Sequence, residues 1–172
     1  MTKVLGAVLV IAASAGIGYM TGLDYQKYLE ELRYLRMMIL QIKGEISYTR
    51  GALSEVCERT ADRVKEPYSS WLRHMRDALN ERSEQSFAGI WTSCIESDLK
   101  NTRLTREDME ELKQMGISLG YLDVSMQLGM LQLYLERLEL KIHQIQGEVV
   151  SKRKVWNCLG VLGGIFLTIM LV

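Results

Sequence analysis

The residues able to do chemistry are few and scattered. The chain holds 2 His and 3 Cys among 172 residues. His74 and His143 each stand alone, with no second histidine one helical turn away and no HExxH. Neither therefore heads a metal-ligand pair, and each reads as a surface histidine. Cys57, Cys94 and Cys158 are far apart and form no CxxC pair. An odd count at such spacing is no disulfide framework, so they read as reduced thiols of a cytosolic domain. Glu30-Glu31 and Glu110-Glu111 are sequence neighbours on helices and diverge rather than converge on one site. GxxxxGK[ST] and GxSxG are both absent. The sequence therefore predicts no catalytic residue, no metal site and no cofactor. It points away from an enzyme and towards a chain that binds other proteins.

The elements that must carry such a surface are set by where the charges fall. Of 21 Lys and Arg only Lys3 lies outside residues 24–154, so 20 basic residues face 21 acidic ones there. That balance leaves no basic footprint for nucleic acid. Residues 4–23 and 155–172 carry no charged side chain. Each is close to the ~20 apolar residues that cross a bilayer core as a helix. The expected layout is an N-terminal transmembrane helix at 1–23, a helical domain at 24–154 and a C-terminal transmembrane helix at 155–172. Lys3 and the Ala13-Ser14-Ala15 triplet also allow a cleaved signal peptide. The apolar run continues past that triplet to Leu23, which favours a retained span. Lys27, Arg33 and Arg36 follow the first span, and Lys152, Arg153 and Lys154 precede the second. Both flanks place the middle domain in the cytoplasm. Gly18 and Gly22, and Gly160 and Gly164, form GxxxG pairs that suit close helix packing in lipid.

The middle domain reads as all-α. Leu32, Leu35, Ile39, Ile42 and Ile46 continue a heptad stripe that begins at Tyr25 and Tyr28. A second stripe runs from Val124 through Leu128, Leu131, Leu135, Leu138, Ile142 and Ile145 to Val149. Such stripes bury one seam against neighbouring helices. Between them come shorter helices: residues 52 to about 65, one opened by Pro67, one around Trp91, and one capped by Thr105 with Asp108 three residues on. Gly116 and Gly120 are expected to separate the last two helices. No segment alternates like a strand. The expectation is an up-and-down antiparallel bundle of about six helices, an even number because both ends meet one membrane face. Met37, Met38, Met126 and Met130 read as core, with an adaptable binding surface as the alternative. The charged stretches 59–65 and 100–106 read as solvated faces, with a partner-facing role as the alternative.

Glu45-Ile46-Ser47-Tyr48, followed by Leu53, resembles the E-I-x-Y-x-x-T-P-L stretch of the stage III sporulation protein AB family. Leu119-Gly120-Tyr121-Leu122-Asp123 with Gln127 resembles that family's L-G-x-S-D-x-x-x-Q lead-in to the last helix. Leu104, Thr105 and Asp108 resemble the preceding L-T-x-x-D. The layout of span, helical domain and apolar tail resembles the family along the whole chain. The family's T-P is Gly51-Ala52 here and its Ser before the Asp is Leu122, departures that put in doubt the hydrogen bonds of those positions, a cap on the second helix included. The resemblance implies a component of the mother-cell to forespore channel of endospore-forming bacteria. It implies a place in the cell membrane, on the mother-cell side at the outer forespore membrane, with the domain cytoplasmic. It also implies likeness to the inner-membrane platform protein of type II secretion and type IV pilus machines. Such a platform meets a hexameric secretion ATPase, here stage III sporulation protein AA. Other channel components and a second copy of the chain are further implied partners. No nucleic acid or small-molecule substrate is implied. Glu45, Tyr48, Gly120, Asp123 and Gln127 carry the motifs and are the candidate partner-binding residues, with a structural role as the alternative for each. A membrane-tethered helical scaffold with an unrelated partner is the second reading.

Overall fold

The computed structural model describes the backbone of residues 2–49, 52–81, 85–120 and 123–171. Side chains are described for residues 24–49, 52–81, 85–120 and 123–148. There are six helices among the described residues: α1 (Thr2–Thr49), α2 (Leu53–Ala61), α3 (Tyr68–Asn80), α4 (Phe87–Asp98), α5 (Arg106–Leu119) and α6 (Val124–Leu171). No strand occurs among them, as the sequence predicts. Among the described residues no helix is long and apolar enough to cross a membrane. The side chains of 4–23 and 155–172, with Gly18, Gly22, Gly160, Gly164 and Cys158, lie outside the described residues.

The chain divides into two compact units: Met1–Glu30 with Lys141–Val172, and Glu31–Leu140. In the first, Leu29, Ile142 and Ile145 are buried. The second holds the rest of the described core and is built on two long helices. Arg36 of α1 donates to Glu139 of α6 at 3.1 Å. Lys43 donates to Gln132 at 2.5 Å. Seven residues forward in α1 thus meet seven residues back in α6, so the two segments run antiparallel in heptad register. Their stripes are apolar at that spacing, and Leu32, Leu35, Ile39, Leu131, Leu135 and Leu138 are all buried. Each such side chain is worth about 1.5–3 kcal/mol.

The short helices fill the same unit, with α2 on α3, α3 on α4 and α4 on α5. Trp71 of α3 and Trp91 of α4 meet edge-on, centroids 5.1 Å apart at 72°. The helix ends follow local chemistry. Ser86 accepts from the Gly89 N–H at 3.3 Å and starts α4. Thr105 and Asp108 form a reciprocal capping box that starts α5. Asp108 is 1% exposed, and its Oδ2 accepts from the Thr105 N–H at 2.8 Å and from the Thr105 hydroxyl at 2.7 Å. At α2 the cap position is Ala52, and no side chain caps it. This is the loss expected from the Gly51-Ala52 departure.

Two boundaries differ from expectation. α2 ends at Ala61, short of about residue 65. The chain turns there: the Arg63 N–H donates to the Thr60 carbonyl at 3.0 Å, and the Ser69 hydroxyl of α3 donates to the Ala61 carbonyl at 2.9 Å. Gly116 does not separate helices; it lies inside α5. The reason is packing. A Cβ at Gly116 would stand 2.0 Å from the Trp91 ring. The Trp91 indole N–H also donates to the Leu112 carbonyl at 3.0 Å. The glycine is a cradle for an indole, not a helix stop.

Candidate functional site

The motif residues do not gather at one place. Most of them hold helix ends. Asp123 opens α6: its carboxylate accepts from the Met126 N–H at 2.9 Å. Its carbonyl takes the Gln127 N–H at 2.8 Å, the first bond of the helix. The Met126 amide, with Ser125 behind it, lowers the Asp123 carboxyl from its ordinary value. Gln127 reaches back to the previous helix, its side-chain amide donating to the Leu119 carbonyl of α5 at 2.8 Å. That carbonyl is one of the last of α5, left without a helical partner. Gly120 ends α5, and a Cβ there would meet Phe87 of α4 at 2.7 Å. Gly120 and Asp123 thus mark the end of α5 and the start of α6.

Glu45 sits on α1, 8% exposed, and its carboxylate takes the Arg63 guanidinium at 2.7 Å. It ties the α2–α3 turn to α1, so the 59–65 charges are partly spent inside the fold. Arg59 pairs with Glu55 at 2.7 Å on the exposed face of α2. Tyr48 is the exception. It lies near the end of α1 and is 84% exposed, a large aromatic with no packing role.

An apolar surface lies elsewhere. Met126, Leu133 and Leu140 of α6 are 57%, 43% and 70% exposed. With Met130 and Arg137 between them they are spaced 4-3-4-3, a second heptad stripe two residues offset from the buried one. Beside it runs an open groove of about 450 Å³ between α5 and α6. Met130, Leu133, Tyr134 and Arg137 line one wall; Glu107, Glu110, Glu111, Gln114, Met115 and Ser118 line the other. Glu110 shares Lys113 with Glu96 at 2.9 and 2.8 Å. Tyr134 forms the floor, 5% exposed. Burial, with the Glu111 and Asp108 carboxylates, pushes its phenol well above the ordinary value. An apolar stripe with an acidic edge suits an amphipathic helix that carries basic residues. Met126 and Met130 belong to this surface, whereas Met38 is fully buried core. The sequence signal for the groove was available: the offset stripe through Leu133 and Leu140 is visible beside the methionines.

A third cluster joins α3 and α4. His74 Nδ1 lies 2.8 Å from Asp98 Oδ2. Cys94, one turn before Asp98 on α4, is 2% exposed. One ligand atom from each of the three lies within 4.8 Å of the others. Sequence inspection does not find this group, because His74 is 20 residues from Cys94 and on another helix. Burial, and then the Asp98 charge, pushes the Cys94 thiol up to about 11. Cys57 is pushed up to about 12, again by burial first. Both thiols are protonated and unreactive at neutral pH.

The family model for stage III sporulation protein AB matches residues 3–172. The stage III sporulation protein AB of Bacillus subtilis (strain 168) is 26% identical over 171 residues, 99% of this chain and 99% of the relative. A solved structure of a stage III sporulation protein AB resembles this fold with a TM-score of 0.64 at 23% identity. It covers 72% of this chain and 97% of the other.

Proposed function

Because the chain belongs to the stage III sporulation protein AB family, we propose that it is a non-enzymatic adaptor of the mother-cell to forespore channel. Its helical domain docks the secretion-type ATPase, stage III sporulation protein AA, at the membrane. The apolar segments 4–23 and 155–172 anchor it there, and the Lys and Arg that flank them hold the domain in the cytoplasm. The observation that carries the docking role is the exposed stripe of α6. Met126, Leu133 and Leu140 present apolar area to solvent at helical spacing, next to a groove edged by Glu107, Glu110 and Glu111. Apolar residues exposed in register mark an interaction face. The ATPase supplies a helix whose basic residues meet the glutamates and whose apolar face covers Met130 and Leu133.

The test is binding of the full chain to the purified ATPase. Leu133→Glu and Leu140→Glu are expected to weaken binding about tenfold or more, as loss of an interface anchor does. Both positions are exposed, so helix content and unfolding midpoint stay as in the parent. If both variants bind the ATPase as the parent does, the α6 surface is not the dock. If the parent chain itself fails to bind, the ATPase is the wrong partner and the generic scaffold reading takes its place.

A further inference from the structure

We propose that His74, Cys94 and Asp98 form a three-ligand site for a divalent transition-metal ion of the zinc type, stapling α3 to α4. The three ligand atoms come from two helices and already lie within 4.8 Å of one another. Zinc holds nitrogen, sulfur and oxygen at about 2.0–2.3 Å, which places tetrahedral neighbours roughly 3.5 Å apart. A side-chain shift of about 1 Å closes the set onto an ion. Cys94 and Asp98 share a face of α4 at i, i+4 spacing, and His74 Nδ1 already points at Asp98.

The charges match. A neutral imidazole, a thiolate and a carboxylate cancel a dication, so the loaded cluster is neutral and suits a partly buried position. Without an ion, burial first and then the Asp98 carboxylate disfavour the Cys94 thiolate. A bound dication reverses that relation, since both anionic groups then face a positive centre. Binding forms the metal–sulfur bond and breaks the S–H bond; the proton leaves to solvent. The helix adds its own contribution. α4 ends at Asp98, so the cluster sits at the negative end of the helix dipole, which favours a cation.

Ligand chemistry chooses the ion. A thiolate and an imidazole select zinc or cobalt over magnesium or calcium, which prefer oxygen alone. Access is open on one side: the His74 side chain is 52% exposed and that of Asp98 22%. The fourth position faces solvent and takes water.

The test uses the full chain titrated with Co²⁺ and, separately, with Zn²⁺. One Co²⁺ per chain is expected to give a thiolate-to-cobalt charge-transfer band, and Zn²⁺ to displace it and raise the thermal midpoint. His74→Gln changes an exposed side chain and keeps the fold; it is expected to weaken Co²⁺ binding at least tenfold and to abolish the Zn²⁺ shift. Asp98→Asn behaves alike. Cys94→Ala removes the band, whereas a Cys57→Ala, Cys158→Ala chain keeps it. Absence of a stoichiometric band in the parent overturns the site, as does a band lost in the double Cys variant. So does a His74→Gln chain that binds Co²⁺ as tightly as the parent.

Discussion

Gly116 has no side chain because Trp91 takes the space. The clearance to a Cβ there is 2.0 Å, and the atoms it would strike belong to a rigid ring held by its own bond to the Leu112 carbonyl. Gly116→Ala is expected to destabilise the domain by about 1–3 kcal/mol, the usual range for overpacking. Gly44 makes the contrast. It is also inside a helix, but nothing lies within 4 Å of its Cβ position. Gly44→Ala is expected to stabilise by about 0.5–1 kcal/mol through backbone entropy alone. Urea unfolding of both variants checks the pair; equal effects of one sign would refute the packing account. The sequence shows both glycines in helix-forming surroundings and cannot separate them. Only the position of a tryptophan 25 residues earlier does that.

At the scale of the element, the start of α6 is the most readable piece of the chain. Asp123 is recognisable as a cap from its type and place, and the carboxylate bond to the Met126 N–H fulfils it. Gln127 is less readable, because its partner is a carbonyl of the previous helix. The helix stripes, the Thr105–Asp108 box and the missing cap at Ala52 were also legible, since each depends on residues a few positions apart. The end of α2 and the His74 cluster were not, since each depends on a side chain from another helix. The Asp123 carboxyl is lowered from 3.8 by the cap bond. A depressed folded value means that the ionised group stabilises the fold above about pH 4, and that this contribution is lost as pH falls through the folded value. Asn accepts the same amide bond without a charge. The stability gap between the parent and Asp123→Asn is therefore expected to narrow between about pH 6 and pH 3. Urea midpoints across that range measure it, and a constant gap would show that the charge contributes nothing.

For the whole molecule, the proposed membrane anchoring predicts which side the helical domain occupies. Its native cysteines are poor reporters. Cys57 and Cys94 are both buried, with thiols pushed up to about 12 and about 11. They resist a thiol reagent from either side, so silence from them says nothing about orientation. An exposed position is needed, and Ser93 on α4 supplies one. A Ser93→Cys chain in intact cells is expected to stay unlabelled by a membrane-impermeant maleimide and to label fully after lysis. Labelling before lysis would reverse the orientation read from the flanking Lys and Arg. The all-α class and the six helices among the described residues were legible because heptad spacing acts along the chain. The exposed stripe of α6 was half legible: the methionines signalled it, but which of two apolar stripes on α6 faces solvent depends on where α1 lies.

The edge-on contact of Trp71 and Trp91 gives the domain a built-in optical reporter. The chain has 3 tryptophans, and the third, Trp156, is in the apolar tail. Changing Trp156 to phenylalanine leaves emission from the buried indole pair alone. That light is blue-shifted and shielded from quenchers only while α4 rests on the glycine face of α5. Its colour therefore tracks, without any attached dye, whether the short helices stay assembled when a partner arrives.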